Sequence, residues 1–174
     1  MKNIRELYDP IKELSNGGFG TVWEATHKKL QCPCAIKQIP KTVLKKAEVY
    51  EDLMWQEIET LDKYDHPNIV RVLDFCEDKD YIYIVFELMM SGDLSKNLRL
   101  IKQNLPTLSM TSIEATVANI MHQVIMAITF LHKQGCVHRD LKPENVLVKY
   151  ERIDDNQTRA TCKVTDFGFA KVFN

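Results

Sequence analysis

The chain has 174 residues, of which 45% are hydrophobic and 27% are charged, as in ordinary soluble globular proteins. Its formal net charge of −1 gives no electrostatic reason to expect binding to nucleic acid or to an anionic membrane. The most apolar run, Tyr81 to Met90, is too short to span a bilayer and contains Glu87. We therefore expect neither a nucleic acid partner nor a membrane partner.

Five segments in the first half of the chain have the apolar patterning of β-strands. They are Tyr8 to Leu14, Phe19 to Thr26, Cys34 to Ile39, Ile69 to Phe75 and Tyr81 to Glu87. Between the first two lies a turn that contains Gly17 and Gly20. Glycines allow backbone amides to approach phosphate oxygens closely, although a plain hairpin turn explains this loop alone equally well.

Two longer segments have helical patterning. Lys45 to Tyr64 has no proline or glycine and carries apolar residues near helical spacing. The second is predicted to open with a capping box from Thr111 to Glu114. Its apolar face, from Ile113 to about Lys133, marks it as a scaffold helix.

The five cysteines are an odd number, and only Cys32 and Cys34 lie close together. One intervening residue and no second cluster make a poor zinc spacing. Alternate residues on a strand face the same side, so we predict that both are packing residues with free thiols. Free thiols favour a reducing, cytoplasmic location.

The residues from Val137 to Val148 place a charged core between two apolar runs, and Pro143 prevents a helix there. A loop that folds back brings Asp140, Lys142 and Asn145 together, and Asp166 arrives on a second turn. These groups are suited to binding a divalent cation and a phosphate beside a hydroxyl nucleophile. The polar segment between them, from Lys149 to Thr161, is predicted to be an exposed hairpin connection.

The sequence His-Arg-Asp-Leu-Lys-Pro-Glu-Asn from His138, followed by Asp-Phe-Gly from Asp166, resembles the catalytic core of the eukaryotic protein kinases. The glycine-rich loop is similar to the family pattern G-x-G-x-x-G-x-V, with Ser15 in place of the first glycine. Cys34-Ala35-Ile36-Lys37 resembles the pattern V-A-I-K. Lys142 indicates the serine/threonine type, and the chain looks closest to the calcium/calmodulin-dependent group.

This resemblance implies ATP and Mg²⁺ as cofactors, with Asp140 as the catalytic base. It also implies that Lys142 steadies the transferred phosphoryl group and that Asn145 and Asp166 hold the metal. Lys37 is expected to pair with Glu57. The residues implied in nucleotide binding are Leu14, Gly17, Gly20, Val22, Ala35, Lys37, Glu57, Glu87, Met89, Asp93 and Leu147.

The implied fold class is α+β, a protein-kinase-like bilobal fold. Residues 1–90 would form a complete N-lobe, a five-stranded antiparallel sheet with one helix. Residues 91–174 would form the first part of a mainly helical C-lobe, comprising the end of the hinge, two helices, the catalytic loop and the Asp-Phe-Gly turn. Such a chain would be C-terminally truncated after that turn. We then expect an exposed apolar surface on the helix from Ile113 to Lys133, which a partner could cover.

The function implied is transfer of the γ-phosphoryl group of Mg-ATP to a serine or threonine hydroxyl of a protein substrate. Glu144 and Asp93 occupy positions that favour basic residues upstream of the target hydroxyl. The alternative is a truncated, kinase-like module that binds nucleotide or a partner without catalysis. A metal-binding protein built on Cys32 and Cys34 is a more distant third.

Overall fold

The computed structural model describes residues 4–17, 20–45, 64–104, 110–154, 158–167 and 170–173. The chain divides into two compact units. The first contains Met1–Lys63 and Arg71–Leu88, and the second contains Tyr64–Val70 and Met89–Asn174. The chain therefore enters the second unit for seven residues, returns to the first, and then completes the second.

The first unit contains a five-stranded antiparallel sheet in the order β1-β2-β3-β5-β4. The strands are β1 (Tyr8–Gly17), β2 (Gly20–His27), β3 (Pro33–Pro40), β4 (Val72–Glu77) and β5 (Tyr81–Glu87). Two short helices accompany them, α1 (Ile4–Leu7) and α2 (Lys41–Lys45). The predicted antiparallel sheet is confirmed. Residues 46–63 of the predicted long helix, including Glu57, lie outside the described residues.

The sheet of the first unit has two faces with different residues, because successive residues of a strand point in opposite directions. One face supplies much of an apolar core that includes Ala25, Cys34, Ile36, Tyr83 and Val85. The other face carries Val22, Ala35 and Lys37. The predicted nucleotide-binding residues thus lie on the face opposite this core, together with buried Ile39 and Ile84.

Where the structure describes it, the second unit combines two helices, α3 (Leu94–Asn104) and α4 (Met110–Lys133), with four strands. The strands β7 (Val146–Arg152) and β8 (Thr158–Val164) form a hairpin. The strands β6 (Cys136–Val137) and β9 (Lys171–Val172) form a second antiparallel pair. A 3₁₀ turn, Pro143–Asn145, precedes β7. This arrangement holds the predicted catalytic loop between β6 and β7.

The segment from Tyr64 to Val70 is attached to β8 rather than to the sheet of the first unit. Val70 N donates to Val164 O at 3.0 Å, and Val164 N donates to Asn68 O at 2.8 Å. The predicted strand starting at Ile69 is therefore wrong at its beginning, since β4 starts only at Val72. The backbone groups near Ile69 are engaged by β8, which explains the later start.

Three further expectations are corrected. The helix α4 begins at Met110, so Thr111 lies inside it and is not its N-cap. Cys32 is exposed, because it lies in the turn before β3, where its carbonyl accepts a hydrogen bond from His27 N. Cys34 is buried as expected. The segment from Lys149 to Thr161 is mostly strand, because β7 and β8 remain paired as far as Arg152 and Thr158.

The helix α4 buries one face and exposes another. Ile120, Val124, Ala127 and Leu131 are buried, as a scaffold role requires. The exposed large apolar residues of this helix are Met110, Val117, Met121, Ile125 and Met126. α4 is also long and apolar enough to cross a membrane, but core helices of soluble proteins meet that test as well. The expected exposed apolar surface is therefore present.

Candidate active site

The two predicted glycines of the phosphate loop stand opposite each other where β1 and β2 meet. Gly20 has a φ of +134°, and a Cβ atom on it would collide with the carbonyl oxygen of Gln38. Gly20 is therefore required by the close approach of β2 to β3. Around Gly17, no atom among the described residues lies within 4 Å of a built Cβ. Packing among the described residues thus explains Gly20 and places no constraint on Gly17.

Val22, Ala35 and Lys37 share one face of the sheet. Val22 is directly opposite Lys37 across the β2–β3 pair. Ala35 lies two residues before Lys37 on β3 and therefore on the same face. Leu14 lies on the exposed part of β1, in an irregularity of the β1–β2 register. The structure therefore brings the side chains of Val22, Ala35 and Lys37 to one face of the sheet.

Glu87 and Met89 lie in different units and have different surroundings. Glu87 N donates to Arg71 O at 3.1 Å, and Arg71 N donates to Glu87 Oε1 at 2.8 Å. The backbone N–H of Glu87 is therefore already bonded within the first unit. Met89 is buried within the second unit.

Asp93 and Leu147 are brought together by a backbone bridge in the second unit. Oδ1 of Asp93 accepts a hydrogen bond from Lys96 N at 2.8 Å, while Oδ2 lies 3.1 Å from Lys96 Nζ. Burial alone would raise the pKa of Asp93, but the hydrogen bonds and charge of Lys96 outweigh it and lower that pKa. Asp93 therefore caps α3 as a carboxylate, and its backbone lies opposite Leu147 in the bridge.

The catalytic loop gathers Asp140, Lys142 and Asn145 around one carboxylate. Oδ2 of Asp140 accepts from Lys142 Nζ at 2.7 Å and from Asn145 Nδ2 at 3.0 Å. Asn145 Nδ2 also donates to Asp140 O at 2.9 Å, and Asn145 N donates to Lys142 O at 2.9 Å. Pro143 supports this turn, since it is favoured at the start of a helix and gives up no needed donor. The convergence expected from the sequence is present.

These contacts set the charge of the predicted base. The hydrogen bond from Lys142 is the main cause that lowers the pKa of Asp140, and the bond from Asn145 adds to it. In return, the hydrogen bond to Asp140 raises the pKa of Lys142. Asp140 is thus held as a carboxylate that can accept or orient a hydroxyl proton at neutral pH.

Asp166 is tied to the catalytic loop through the residue before it. Thr165 N donates to Asn145 O at 3.0 Å, and Thr165 O accepts from His138 Nε2 at 3.0 Å. Asp166 itself has a φ of +64°, a left-handed conformation that Asp tolerates better than most residues. The buried ring of Phe167 packs edge-on against His138. The backbone therefore delivers Asp166 beside Asn145.

Asn145 and Asp166 fit a magnesium ion by the chemistry of their donors. Nδ2 of Asn145 donates to both O and Oδ2 of Asp140, so the side-chain oxygen Oδ1 of Asn145 takes no part in these two bonds. No described residue donates to that oxygen. Amide and carboxylate oxygens are the hard ligands that Mg²⁺ prefers. The two side chains named from the sequence are therefore suited to the ion.

Two contributors to the site were not named from the sequence. His138 bridges the loop to Thr165, and its position two residues before Asp140 could have indicated this. Asn97 is buried beneath the turn that carries Asp93, and donates to Ser91 O and Asp93 O. A single amide within a helical pattern carries no such signal.

Comparison with known proteins agrees with this arrangement. The family model described as "Protein kinase domain" matches residues 8–174. A probable myosin light chain kinase of Dictyostelium discoideum is 31% identical over 98% of this chain and 40% of its own length. Calcium-dependent protein kinase 3 of Plasmodium yoelii yoelii is 32% identical over 99% of this chain and 29% of its own length.

The chain belongs to the protein kinase family. The similarity to calcium-dependent and myosin light chain kinases confirms the resemblance to the serine/threonine type that the motifs indicated. The chain spans less than half the length of these relatives.

Proposed function

We propose that this chain binds Mg-ATP and transfers its γ-phosphoryl group to a serine or threonine hydroxyl of a protein. The observation that carries the proposal is the cluster in which Asp140 receives hydrogen bonds from both Lys142 and Asn145. A carboxylate held beside a lysine and an amide oxygen can orient a hydroxyl next to a phosphoryl group. A purely structural loop has no need for this combination.

The residues divide the work in a simple way. A magnesium ion held by Asn145 and Asp166 would supply positive charge to the phosphate oxygens. Asp140 accepts a hydrogen bond from the acceptor hydroxyl and orients its oxygen. Lys142 already lies 2.7 Å from Asp140, and it can donate to the transferred phosphoryl oxygens beside the hydroxyl. Catalysis then consists mainly of positioning and electrostatic stabilisation.

Thermal unfolding of the 174-residue chain tests nucleotide binding directly. Mg-ATP should raise the melting temperature of the wild-type chain, because a ligand that binds only the folded state stabilises it. The shift should be lost with EDTA and in Lys37→Met. Transfer of phosphate to serine-containing peptides then tests catalysis. A folded chain with no shift would contradict the proposal.

The alternative is a module that binds nucleotide or a partner without transferring phosphate. The exposed apolar side chains of α4, including Ile125 and Met126, favour partner binding. A magnesium-dependent shift without phosphate transfer to any serine or threonine peptide would support this alternative. Transfer that is abolished in Asp140→Asn would exclude it.

Substrate choice gives a further part of the proposal. Glu144 is exposed in the catalytic loop, and a carboxylate there favours a basic residue upstream of the acceptor hydroxyl. We expect Arg-to-Ala replacement in a peptide substrate to reduce turnover by the wild-type chain. Equal turnover of both peptides would contradict this preference.

A further inference from the structure

Asn97 is unusual among the polar side chains of the described residues. Tyrosine and cysteine aside, only three of these are buried, and the other two, His138 and Asn145, belong to the catalytic loop and its support. Asn97 lies on α3, a helix that packs against the Pro143–Asn145 turn, and only 5% of its surface is exposed. Burying an amide is costly unless its hydrogen bonds are made. Its partners therefore indicate why it is there.

Both side-chain hydrogens of Asn97 are used on one turn. Nδ2 donates to Ser91 O at 2.8 Å and to Asp93 O at 2.8 Å. These carbonyls flank Gly92, which has a left-handed φ of +72°. Asp93 O also accepts from Asn97 N in the first turn of α3, whereas the bond to Ser91 lies outside the helix. The amide thus clamps a turn that the helix alone would not hold.

The opposite side of the same turn is fixed by β7. Ser91 N donates to Val148 O at 3.1 Å, and Val148 N donates to Gly92 O at 2.8 Å. These bonds place Asp93 across from Leu147. With β7 on one side and Asn97 on the other, the turn cannot pivot about either support alone.

We propose that Asn97 is a positioning residue for the adenosine end of a bound nucleotide, acting through Asp93 and the 91–93 turn. This inference rests on the proposed nucleotide binding. Asp93 and Leu147 are the residues that it aligns. Both side-chain hydrogen bonds of Asn97 go to the 91–93 turn, and neither goes to Asp140, Lys142 or Asn145, the residues expected at the phosphate end.

The test compares Asn97→Leu with the wild-type chain. Leucine has a similar volume but no side-chain donor, so Ser91 O loses its bond from Asn97 Nδ2, while Asp93 O keeps only the bond from the backbone N of residue 97. The matched control is Gln103→Leu, which removes an exposed amide from the same helix. Calorimetry measures affinity for adenosine, for Mg-ATP, and for magnesium tripolyphosphate, which lacks the nucleoside.

Asn97→Leu should weaken binding of adenosine and Mg-ATP about tenfold, the size expected when a misplaced Asp93 carboxylate no longer accepts a hydrogen bond from the nucleoside. Tripolyphosphate affinity should change less than about twofold, and Gln103→Leu should bind all three ligands normally. Hydrogen exchange at the amides of Lys96 and Val148 should accelerate in Asn97→Leu without any ligand, because both amides bond to the clamped turn.

The outcomes separate this inference from the proposed function. If the wild-type chain binds none of the ligands, the proposed function fails and the inference falls with it. If the wild type binds but adenosine affinity is unchanged in Asn97→Leu, only the inference is overturned. Equal weakening of all three ligands would show a general structural role and would also overturn it. If Asn97→Leu does not fold, Asn97→Ser, which keeps one donor, replaces it under the same criteria.

Discussion

Lys142 Nζ donates a hydrogen bond of 2.7 Å to Oδ2 of Asp140, the carboxylate that acts as base in the proposed mechanism. This bond is the largest cause of the lowered pKa of Asp140. A carboxylate whose pKa is lowered in the folded state contributes stability above its ordinary pKa. That stability is lost as the pH falls through the lowered value. The pair therefore keeps the base charged under mildly acidic conditions.

In Lys142→Met, the pKa of Asp140 should rise toward its ordinary value, and the acid limb of any pH–activity profile should move to higher pH. Carbon NMR of the Asp140 carboxyl measures the titration. Lys149→Met is the matched control, because Lys149 pairs with Glu151 and makes no bond to Asp140. An unchanged Asp140 titration in Lys142→Met would contradict the prediction.

The two glycines of the phosphate loop should respond differently to alanine. Gly20→Ala should lower the free energy of unfolding by about 1–3 kcal/mol, because its Cβ would collide with Gln38. Gly17→Ala should change that free energy by less than about 1 kcal/mol. If Gly17 contacts phosphate, however, its variant should weaken Mg-ATP binding.

Denaturant unfolding and calorimetry distinguish these effects. A Gly17→Ala variant with normal stability and normal Mg-ATP affinity would show that Gly17 has no part in the phosphate site. A Gly20→Ala variant as stable as the wild type would contradict the close approach of β2 and β3.

Replacement of Asp166 separates its charge from its backbone conformation. Asn tolerates the left-handed φ of Asp166 as Asp does, so Asp166→Asn should fold normally and lose magnesium-dependent nucleotide binding. Asp166→Ala should lose that binding and also lower the unfolding free energy by about 1 kcal/mol. Melting curves with Mg-ATP and with EDTA measure both. Retained magnesium dependence in Asp166→Asn would argue against its assignment as a ligand.

The thiols should show widely different reactivity. All five cysteines are free, yet only Cys32 is exposed. Burial raises the pKa of Cys34 to about 11, with a smaller contribution from Cys32, and burial raises that of Cys162 to about 11. Because the thiolate is the reactive form, a thiol reagent at pH 8 should modify one cysteine quickly. Cys32→Ser should abolish this fast phase, and a second fast thiol in that variant would contradict the burial of the others.

The two faces of α4 should differ in their contribution to stability. Leu131 is fully buried, so Leu131→Ala should cost about 2–5 kcal/mol of unfolding free energy. Ile125 is 55% exposed, and Ile125→Ala should stay within about 0.5 kcal/mol of the wild type. Denaturant titration of both variants provides the comparison. A large loss in Ile125→Ala would show that this face is covered in solution.

Local patterning was sufficient to predict the strands that alternate clearly. The predicted Cys34–Ile39 agrees with β3 to within one residue at each end, since its apolar side chains point to a core. Exposed strands give no such pattern. The ends of β7 and β8 are polar, so the sequence predicts a connection there, whereas the structure has paired strands as far as Arg152 and Thr158.

The site showed the same division. Asp140, Lys142 and Asn145 lie within six residues, and a short turn is enough to bring them together. Asn97 is also close in sequence to its partner Ser91, and the bond between them is local. What the sequence did not show is that this amide is buried, because an asparagine within a helical pattern is more often exposed.

Ile69 and Val70 have a consequence for synthesis of the chain. Both are almost fully buried, and they are attached to Val164 of β8. The neighbouring bond from Asn68 to Cys162 spans 94 residues of sequence. Such distant pairings form late. During synthesis, these two apolar side chains therefore leave the ribosome long before the strand that covers them. In that interval they can bind a chaperone or associate with another copy of the chain.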